Sequence, residues 1–293
     1  MNLSLPPKRR KYNALIQPIR IRNIKKKIKE FCGLTFEGQR DKYLQQRLEE
    51  RIKSLNLGSL GEYCQCVFYD NKEKTEWTNL INDITINETY FFREKQQFDV
   101  LTRIVLPKIM KERAPMNQLR ILSAACANGA EAYTLAILLY INSSLQQQWR
   151  VEIEGCDLNQ KNLAIAREGI FGEFDMRGVD PLVKTTFFDH QDSHYVLMPS
   201  IRQSVRFFQL NLLNLFQLRN LVPYQVIFCR NVLYYFDIPT REKVLQGLAE
   251  CLSPNGYLFV GQTEFVGELS IPFKACREGD VVVYQKNSSL GAK

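Results

Sequence analysis

The chain has 293 residues, 45% of them hydrophobic, so it is long enough for two domains and can bury a sizeable core. Its formal net charge of +8 belongs to one end, because residues 1–29 hold ten Lys or Arg and no acid and the remainder carries −2. No nucleic-acid fold signature accompanies this basic end, so we expect no DNA or RNA substrate. The longest apolar helical run, over residues 132–141, is too short to span a bilayer.

The cysteine pattern indicates the compartment and gives no sign of a metal centre. Of the eight cysteines only Cys64 and Cys66 are close together, and neither a second pair nor a neighbouring His completes a zinc site. Other cysteines end apolar strands, and the chain starts without a signal-peptide pattern. We therefore expect a reduced, cytoplasmic protein without a bound metal.

The N-terminal part divides into an arm and a helical domain. Residues 1–24 contain three Pro and the run KRRK at 8–11, and we expect them to form a flexible basic arm. The sequence leaves its partner open among anionic lipid, an acidic protein surface and nucleic acid, or a role in solubility alone. Residues 25–86 are predicted to form an all-helical domain.

A basic stripe marks the predicted helix over residues 41–55. Its apolar residues repeat on one helical face, and three arginines lie beside that face: Arg40, Arg47 and Arg51. Such a stripe is complementary to a partner helix rich in Glu. Glu49 and Glu50 accompany the arginines, so an ordinary solvated face is the alternative.

Strand and helix patterns alternate from residue 117 onward. Strand candidates cover residues 119–124, 151–156, 205–208, 225–229 and 256–260, and helical runs lie at 133–141, 160–168 and 240–252. This alternation implies parallel strands joined by right-handed crossovers. We predict an α/β, doubly wound Rossmann-like domain over 117–287, with 87–116 as a junction and 288–293 as a tail.

The alternation is interrupted near residues 185–208. Residues 195–197 and 204–207 are both short and apolar, and we expect them to pair as a small antiparallel insert.

The segment CRNVLYYF, over residues 229–236, follows the buried strand candidate at 226–228. It places Arg230, Asn231 and Tyr235 just after a strand, where open α/β sheets bind their ligands. A Tyr-rich strand end can also be ordinary core, so this segment alone leaves a catalytic and a packing role open.

The turn after the first strand and the end of the second predict the cofactor. The turn, SAACANGAE at 123–131, lacks the Gly-x-Gly-x-x-Gly that brings backbone close to a pyrophosphate, which disfavours a dinucleotide. Its small residues still allow a ligand to approach, and Asp157 at the end of the second strand suits ribose hydroxyls. These features fit S-adenosylmethionine, although small residues could serve helix packing alone.

Seven segments, in order along residues 30–286, carry a family resemblance. They are NETYFFRE at 87–94, the turn at 123–134, DLN at 157–159, NLL at 211–213, CRNVLYYF at 229–236, LSPNGYL at 252–258 and GQTE at 261–264. In this order they resemble the chemotaxis receptor methyltransferases of the CheR type. That family esterifies glutamate side chains on bacterial chemoreceptors, using S-adenosylmethionine and releasing S-adenosylhomocysteine.

The resemblance implies a role for each matching residue. The cofactor contacts that it implies run from the methionyl end to the adenine: Asn87, Thr89, Arg93, Glu131, Asp157, Asn211 and Leu212. Arg230 and Asn231 would border the cofactor on the substrate side, and Tyr235 would stand next to the transferring methyl. Arg93, Arg230 and Tyr235 are therefore the predicted catalytic residues.

Two motifs depart from the family pattern. GAEAYT at 129–134 replaces the usual GEEPYS, so that Ala130 and Ala132 stand for an acid and a Pro, and GQTE replaces GHSE. The chain's two histidines, His190 and His194, lie in a polar stretch away from these motifs. A glutamate acceptor is already ionised at neutral pH, so its methylation requires alignment rather than a base.

We therefore expect a protein-glutamate O-methyltransferase that acts on the cytoplasmic helices of methyl-accepting chemotaxis proteins. The resemblance implies a monomer that contacts membrane-bound receptor arrays peripherally, with Arg40, Arg47 and Arg51 facing the receptor. Residues 179–210 contain no Gly, which favours an enzyme that does not grip a tethered receptor tail. The alternatives are a methyltransferase with another protein or small-molecule acceptor, and a catalytically silent cofactor-binding module.

Overall fold

A computed structural model describes residues 7–69, 73–113, 117–142, 148–264, 266 and 271–287. The chain forms two compact units, Met1–Ile86 and Asn87–Lys293. No helix within the described residues is both long enough and apolar enough to cross a membrane.

The first unit is helical, as expected. Its helices are α1 Pro7–Cys32, α2 Gln39–Ser54, α3 Leu60–Tyr69 and α4 Glu73–Ile84. Ile24, Ile28 and Cys32 recur every four residues on α1, so they line one face, and all three are buried. α1 packs on α3, and both α2 and α3 pack on α4.

Helix α1 differs from the expectation of a flexible arm over residues 1–24. It begins at Pro7 and continues through Pro18. A proline at the first helical position is compatible with a helix, because the N–H that it lacks would have no partner there. Pro7 therefore does not mark an unstructured arm, and residues 1–6 of the predicted arm lie outside the described residues.

The second unit begins with a helical segment where we predicted a junction over 87–116. α5 Lys95–Val100, a π-helical turn Leu101–Val105 and α6 Leu106–Arg113 follow one another without a break. Their buried residues, among them Phe98, Leu101 and Val105, belong to the same core cluster as the sheet. The segment is part of the second unit rather than a linker.

A seven-stranded sheet confirms the doubly wound α/β fold. Its strands are β1 Gln118–Ala124, β2 Arg150–Asp157, β6 Val205–Gln209, β7 Tyr224–Cys229, β8 Leu252–Val260, β9 Phe273–Glu278 and β10 Val281–Lys286. The order is β6-β2-β1-β7-β8-β10-β9, and the first five strands are parallel. β10 is antiparallel to both of its neighbours. The helices of this domain are α7 Ala130–Ile141, α8 Gln160–Glu168, α9 Pro181–Phe187, α10 Pro199–Arg202, α11 Leu215–Arg219 and α12 Ile238–Cys251.

The antiparallel insert exists, but its predicted pairing is wrong. Its strands are β3 Ile170–Gly172, β4 Phe188–Gln191 and β5 His194–Leu197, with β5 between the other two. The 204–207 segment instead lies in β6, which pairs with β2 in the main sheet. A short apolar run gives the strand but not its partner, which is selected by packing and register.

Candidate active site

The carboxyl ends of three parallel strands meet at one edge of the main sheet. β1 ends at Ala124, which is opposite Cys156 of β2 and Cys229 of β7. The turn 125–129, Asp157 and Arg230 directly follow or end these strands. The topology therefore brings together three of the regions that the sequence singled out.

Arg230 lies at the centre of this edge. Its side chain is 1% exposed, its Nη2 donates to the Arg93 carbonyl oxygen at 2.5 Å, and Nη2 lies 3.3 Å from the Glu94 carboxylate. Its Nη1 lies 3.4 Å from Glu131 Oε2. Two carboxylates thus flank the buried guanidinium, so that its charge is paired. Within the described residues, Nε and Nη1 have no hydrogen-bond partner, so the site retains buried donors for a ligand.

Glu131 and Glu94 approach Arg230 from different elements. Glu131 stands in the first turn of α7 and accepts a hydrogen bond from the Ser123 hydroxyl at 2.6 Å. Burial raises the pKa of Glu131, an effect opposed by the Arg230 guanidinium and the Ser123 hydroxyl. Glu94 accepts from the Asn231 side-chain amide at 3.0 Å. Glu131 and Asn231 are predicted site residues, whereas Glu94 belongs to the motif NETYFFRE but has no predicted role.

Asp157 is buried and holds the turn after β1. Its Oδ2 accepts from the Ala127 N–H at 2.9 Å and its Oδ1 from the Asn159 N–H at 2.8 Å. Burial raises the pKa of Asp157, whereas these backbone donors lower it. A carboxylate has about four lone-pair sites, so these backbone donors leave capacity for a ligand such as a ribose hydroxyl.

The turn 125–129 adopts a backbone that L-residues rarely use. Ala125 and Ala127 have φ values of 59° and 48°, and Gly129 has a φ of 87°. A Cβ on Gly129 would lie 2.9 Å from Cβ of Ala166, so a glycine is required there. The two alanines hold a strained conformation, and the hydrogen bonds around the turn must stabilise it.

The segment 87–94 is attached to several elements of the second unit. Asn87 Oδ1 accepts from the Asn162 side chain at 2.7 Å, which directs Asn87 towards α8. The Phe92 N–H donates to the Thr134 hydroxyl of α7 at 3.1 Å. The Arg93 guanidinium donates to the Glu88 carbonyl at 2.6 Å and is partly exposed. Arg93 is therefore at the site through its backbone, while its side chain is accessible at the rim.

The other predicted residues of this set are Thr89, which is half-buried, and the pair Asn211 and Leu212. The Leu210 N–H donates to the Asp157 carbonyl at 3.0 Å, so this segment runs beside the end of β2. Asn211 Oδ1 accepts from the Leu213 N–H at 3.0 Å, and Leu212 is buried. The contact of Asn211 and Leu212 with the adenine region, which the family resemblance implies, stays a prediction.

Comparison with known proteins identifies the family. Residues 87–281 match the model described as CheR methyltransferase, SAM binding domain, and residues 20–85 match that of the CheR methyltransferase, all-alpha domain. The chain belongs to the CheR methyltransferase family.

Its relatives match along most of their length. A Vibrio cholerae protein named Chemotaxis protein methyltransferase 2 is 34% identical over 246 residues, 84% of this chain and 85% of the relative. Chemotaxis protein methyltransferase 1 of Pseudomonas aeruginosa is 30% identical over 263 residues, covering 88% and 94%. The probable biofilm formation methyltransferase WspC of the same species is 30% identical, and the match covers 81% of this chain and 55% of that protein. The family assignment from the ordered motifs is thus confirmed.

In this CheR-family chain, Glu264 shapes the segment that carries the predicted catalytic tyrosine. Its buried carboxylate accepts backbone N–H groups of Asn231 at 2.7 Å, Leu233 at 2.6 Å and Gly261 at 2.8 Å, with the Tyr234 N–H at 3.3 Å. Burial raises the pKa of Glu264, and these donors oppose the shift. Glu264 belongs to the motif GQTE but has no predicted role, because most of its hydrogen-bond partners lie about thirty residues earlier in the chain.

Tyr235 ends the short 3-10 turn Leu233–Tyr235 that Glu264 stabilises. Its hydroxyl lies 3.2 Å from that of Tyr234, and the two ring centroids are 4.4 Å apart. The tyrosine is half-buried rather than part of the core, which leaves the predicted catalytic role available.

The arginine stripe of α2 does not act as a unit within the helical domain. Arg51 donates to both carboxylate oxygens of Glu76, at 3.0 and 2.5 Å, and also to Asp83 at 3.3 Å. Its side chain is 16% exposed, so its predicted place on a receptor-facing stripe is replaced by an internal ion-pair network. Arg47 pairs with Glu50 at 2.7 Å and is more exposed, and Arg40 donates to the Thr35 carbonyl at 3.4 Å.

Three cysteines lie at the same sheet edge as Arg230. Cys126 is in the turn after β1, Cys156 precedes Asp157 and Cys229 precedes Arg230, and all three are buried free thiols. Burial raises the pKa of each thiol, and nearby carboxylates add to the effect. Within the part of the chain that the structure describes, no group of three His, Cys, Asp or Glu residues could hold a metal ion.

Proposed function

We propose that this CheR-family protein transfers the methyl group of S-adenosylmethionine to the side-chain carboxylate of glutamates on chemoreceptors. The relatives named as chemotaxis methyltransferases, which match most of the chain, support methyl transfer in chemotaxis, and the glutamate acceptor is our proposal. The cytoplasmic helices of methyl-accepting chemotaxis proteins are the proposed partner, approached by a cytoplasmic monomer at the membrane-bound array.

The residues at the sheet edge fit the proposed cofactor. Arg230 offers buried N–H donors that no described residue satisfies, and a carboxylate such as that of the methionyl group would satisfy them. Glu131, close to Arg230, would meet the positively charged amino group, and Asp157 would meet the ribose. Asn87, Thr89, Asn211, Leu212 and Asn231 complete the proposed contacts. When bound, S-adenosylmethionine supplies a sulfonium methyl that passes to a carboxylate oxygen, leaving S-adenosylhomocysteine.

The two arginines differ in what they can reach. Arg230 is buried and already balanced by Glu94 and Glu131, so we assign it to the cofactor side of the site. Arg93 presents a partly exposed guanidinium at the rim, and it is the better candidate to orient the incoming carboxylate. Tyr235, held by the turn that Glu264 fixes, would align that carboxylate by a hydrogen bond.

The observation that carries the proposal is a site that has the partly exposed guanidinium of Arg93 at its rim and includes neither of the chain's histidines. Both histidines lie on the β4–β5 hairpin, where His190 stacks on Tyr195 at 4.6 Å between ring centroids. A hydroxyl or amine acceptor would need a base to remove its proton. A glutamate carboxylate, with a pKa near 4.3, does not. The site thus favours an acceptor that arrives as an anion.

The receptor contact is proposed for the helical domain. Arg40 and Arg47 retain this role, because the side chains of both are partly exposed, whereas that of Arg51 is shielded by its ion pairs. An acidic receptor helix would compete with Glu50 for Arg47.

The test is transfer of radiolabelled methyl to membranes that contain chemoreceptors, with receptor-free membranes as the matched control. We expect label on the receptor band, released as methanol by mild base, because methyl esters hydrolyse and methyl ethers or amines do not. Base-stable label would contradict a glutamate acceptor. Absence of label despite calorimetric cofactor binding would indicate another acceptor, and absence of binding would favour a silent module.

A further inference from the structure

Asp175, in the loop that follows β3, joins three segments of the second unit. Its Oδ1 accepts from the Asn128 side-chain amide at 2.9 Å, and its Oδ2 accepts from the Gly172 N–H at 3.0 Å. Its own carbonyl accepts from the Phe91 N–H at 3.0 Å. One residue of the insert loop thus contacts both the turn after β1 and the segment 87–94.

The Asn128 amide is oriented by this contact. Its Oδ1 accepts from the Ala130 N–H at 3.2 Å, at the start of α7, while its Nδ2 donates to Asp175. A carboxylate only accepts hydrogen bonds, so Asp175 requires the donor end of the Asn128 amide to face it. The oxygen end is then directed at the helix N-terminus, where an unpaired N–H needs an acceptor.

Both groups that face the Asp175 carboxylate are donors. An asparagine at 175 would place its own NH₂ against either Asn128 Nδ2 or the Gly172 N–H, leaving one donor unsatisfied. The carboxylate is therefore chemically specified at this position, although its shape is the same as that of an amide.

The turn that Asp175 reaches needs support from outside. Ala125 and Ala127 hold positive φ angles there. Asp157 secures the turn from β2 through the Ala127 N–H, and Asp175 secures it from the insert through Asn128. The turn leads into Glu131, which contacts Arg230.

We infer that Asp175 is a positioning residue for the cofactor, acting through Asn128 on the turn 125–129. The inference rests on the proposed function, since it concerns the affinity for S-adenosylmethionine. It assigns to the insert loop a role in forming the cofactor site, in addition to any contact that the insert makes with a receptor.

A reciprocal exchange tests this hydrogen-bond logic. Asp175→Asn creates the donor conflict, and Asn128→Asp places two carboxylates against each other. We expect each single variant to bind S-adenosylhomocysteine about tenfold more weakly, with KM for S-adenosylmethionine raised by a similar factor and kcat changed less.

The double variant Asn128→Asp/Asp175→Asn is expected to restore every hydrogen bond. The carboxylate introduced at position 128 would accept both from the Ala130 N–H and from the amide introduced at position 175. The oxygen of that new amide would in turn accept from the Gly172 N–H. Recovery of affinity in the double variant to within about twofold of the wild type supports the inference.

Asp189→Asn is the matched control, since Asp189 is an exposed carboxylate of the same insert that accepts from the Gln191 side chain at 2.8 Å. It should bind S-adenosylhomocysteine like the wild type. A double variant no better than the singles, or an Asp175→Asn variant with wild-type affinity, would overturn the inference.

A second variant and the wild-type protein separate the possible outcomes. If Asp175→Asn does not fold, Asn128→Asp and the double variant still decide, because the second substitution must then rescue the first. Wild-type protein that fails to bind S-adenosylhomocysteine would contradict the proposed function itself, whereas wild-type binding that Asp175→Asn leaves unchanged would contradict this inference alone.

Discussion

Arg51 in the helical first unit and Arg230 in the second unit are both shielded arginines set between two carboxylates, yet their hydrogen bonding differs. Arg51 uses Nε and Nη2 on Glu76 and Nη1 on Asp83, and the Tyr63 hydroxyl donates to Glu76 at 2.8 Å. Arg230 lies 3.3 and 3.4 Å from its carboxylates, and its Nε and Nη1 have no hydrogen-bond partner among the described residues.

We interpret the difference between these two arginines as that between a structural network and a binding site. A fully paired buried charge has no capacity left, so its contribution is to the stability of its own domain. A buried arginine with unused donors carries a desolvation cost that a complementary anion would offset. We therefore expect substitution of Arg51 to affect folding, and substitution of Arg230 to affect ligand binding and catalysis.

The largest effect is expected for Arg230→Ala. Removing the guanidinium leaves Glu94 and Glu131 close together without a counter-charge and deletes the donors offered to the cofactor. We expect methyl transfer to fall by about 10³-fold in kcat/KM, equivalent to about 4 kcal/mol. Arg219→Ala, at an exposed arginine paired with Glu250, is the control and should retain activity. A loss within about threefold for Arg230→Ala would remove the distinction between the two arginines.

Arg51→Ala is expected to act on stability alone. It leaves Glu76, itself 4% exposed, without its cation, and should lower the free energy of unfolding of the helical unit by about 3 kcal/mol. Urea unfolding followed by Trp77 fluorescence, in a Trp149→Phe background, reports on this unit. Arg47→Ala, at a more exposed pair, should change stability by at most about 0.5 kcal/mol.

The same variant decides whether Arg51 also meets a receptor. We expect its affinity for S-adenosylhomocysteine to equal that of the wild type. Unchanged stability together with impaired receptor methylation would restore the original prediction that Arg51 belongs to a receptor-facing stripe.

The smallest effect concerns the pH dependence of the Arg230 site. Since burial raises the pKa of Glu131, lowering the pH protonates it above the usual glutamate value of about 4.3 and removes the negative charge that would meet the amino group of the proposed cofactor. We expect cofactor affinity to weaken by less than about tenfold on this acid limb, measured by calorimetry from about pH 8 down to about pH 4. The Glu131→Gln variant should lose part of this pH dependence of cofactor affinity. The remaining part should come from Asp157 and Glu264, because burial also raises their pKa values.

The contribution of Glu131 to folding stability changes with pH in the direction opposite to its effect on cofactor binding. A raised pKa means that folded Glu131 binds its proton more tightly than the unfolded chain does, so its contribution favours folding at low pH and is lost as the pH rises through that pKa. Glu131→Gln should therefore gain stability relative to the wild type as the pH rises. If the Tm values of the two proteins change in the same way with pH, Glu131 does not titrate in this range.

Much of the second unit could be predicted because the patterns that indicate it are local in sequence. The periodicity of apolar residues predicted the alternating strands and helices from β1 to β8. Small residues after β1 and the acid that ends β2 indicated the edge where a ligand would bind. The strand ends placed Arg230 and Asp157 at this edge, and the family resemblance supplied their predicted roles.

The remaining features depend on contacts distant in sequence. Arg51 meets Glu76 across 25 residues, and Arg230 meets the Arg93 carbonyl across 137, so no local pattern separates the structural arginine from the functional one. The partner of β5 was missed for the same reason, since an apolar run fixes a strand and not its neighbour. Proline occurs at the start of helices as well as in flexible segments. Pro7 is at the start of helix α1.

The neutral thiols beside Arg230 have a chemical consequence for a protein that would hold a methylating agent. A sulfonium methyl is an electrophile, and a thiolate is among the strongest nucleophiles that a protein offers. Burial raises the pKa of Cys126, Cys156 and Cys229, which favours the neutral thiol over the thiolate. In the proposed reaction these sulfurs would therefore not compete with the acceptor carboxylate for the methyl group.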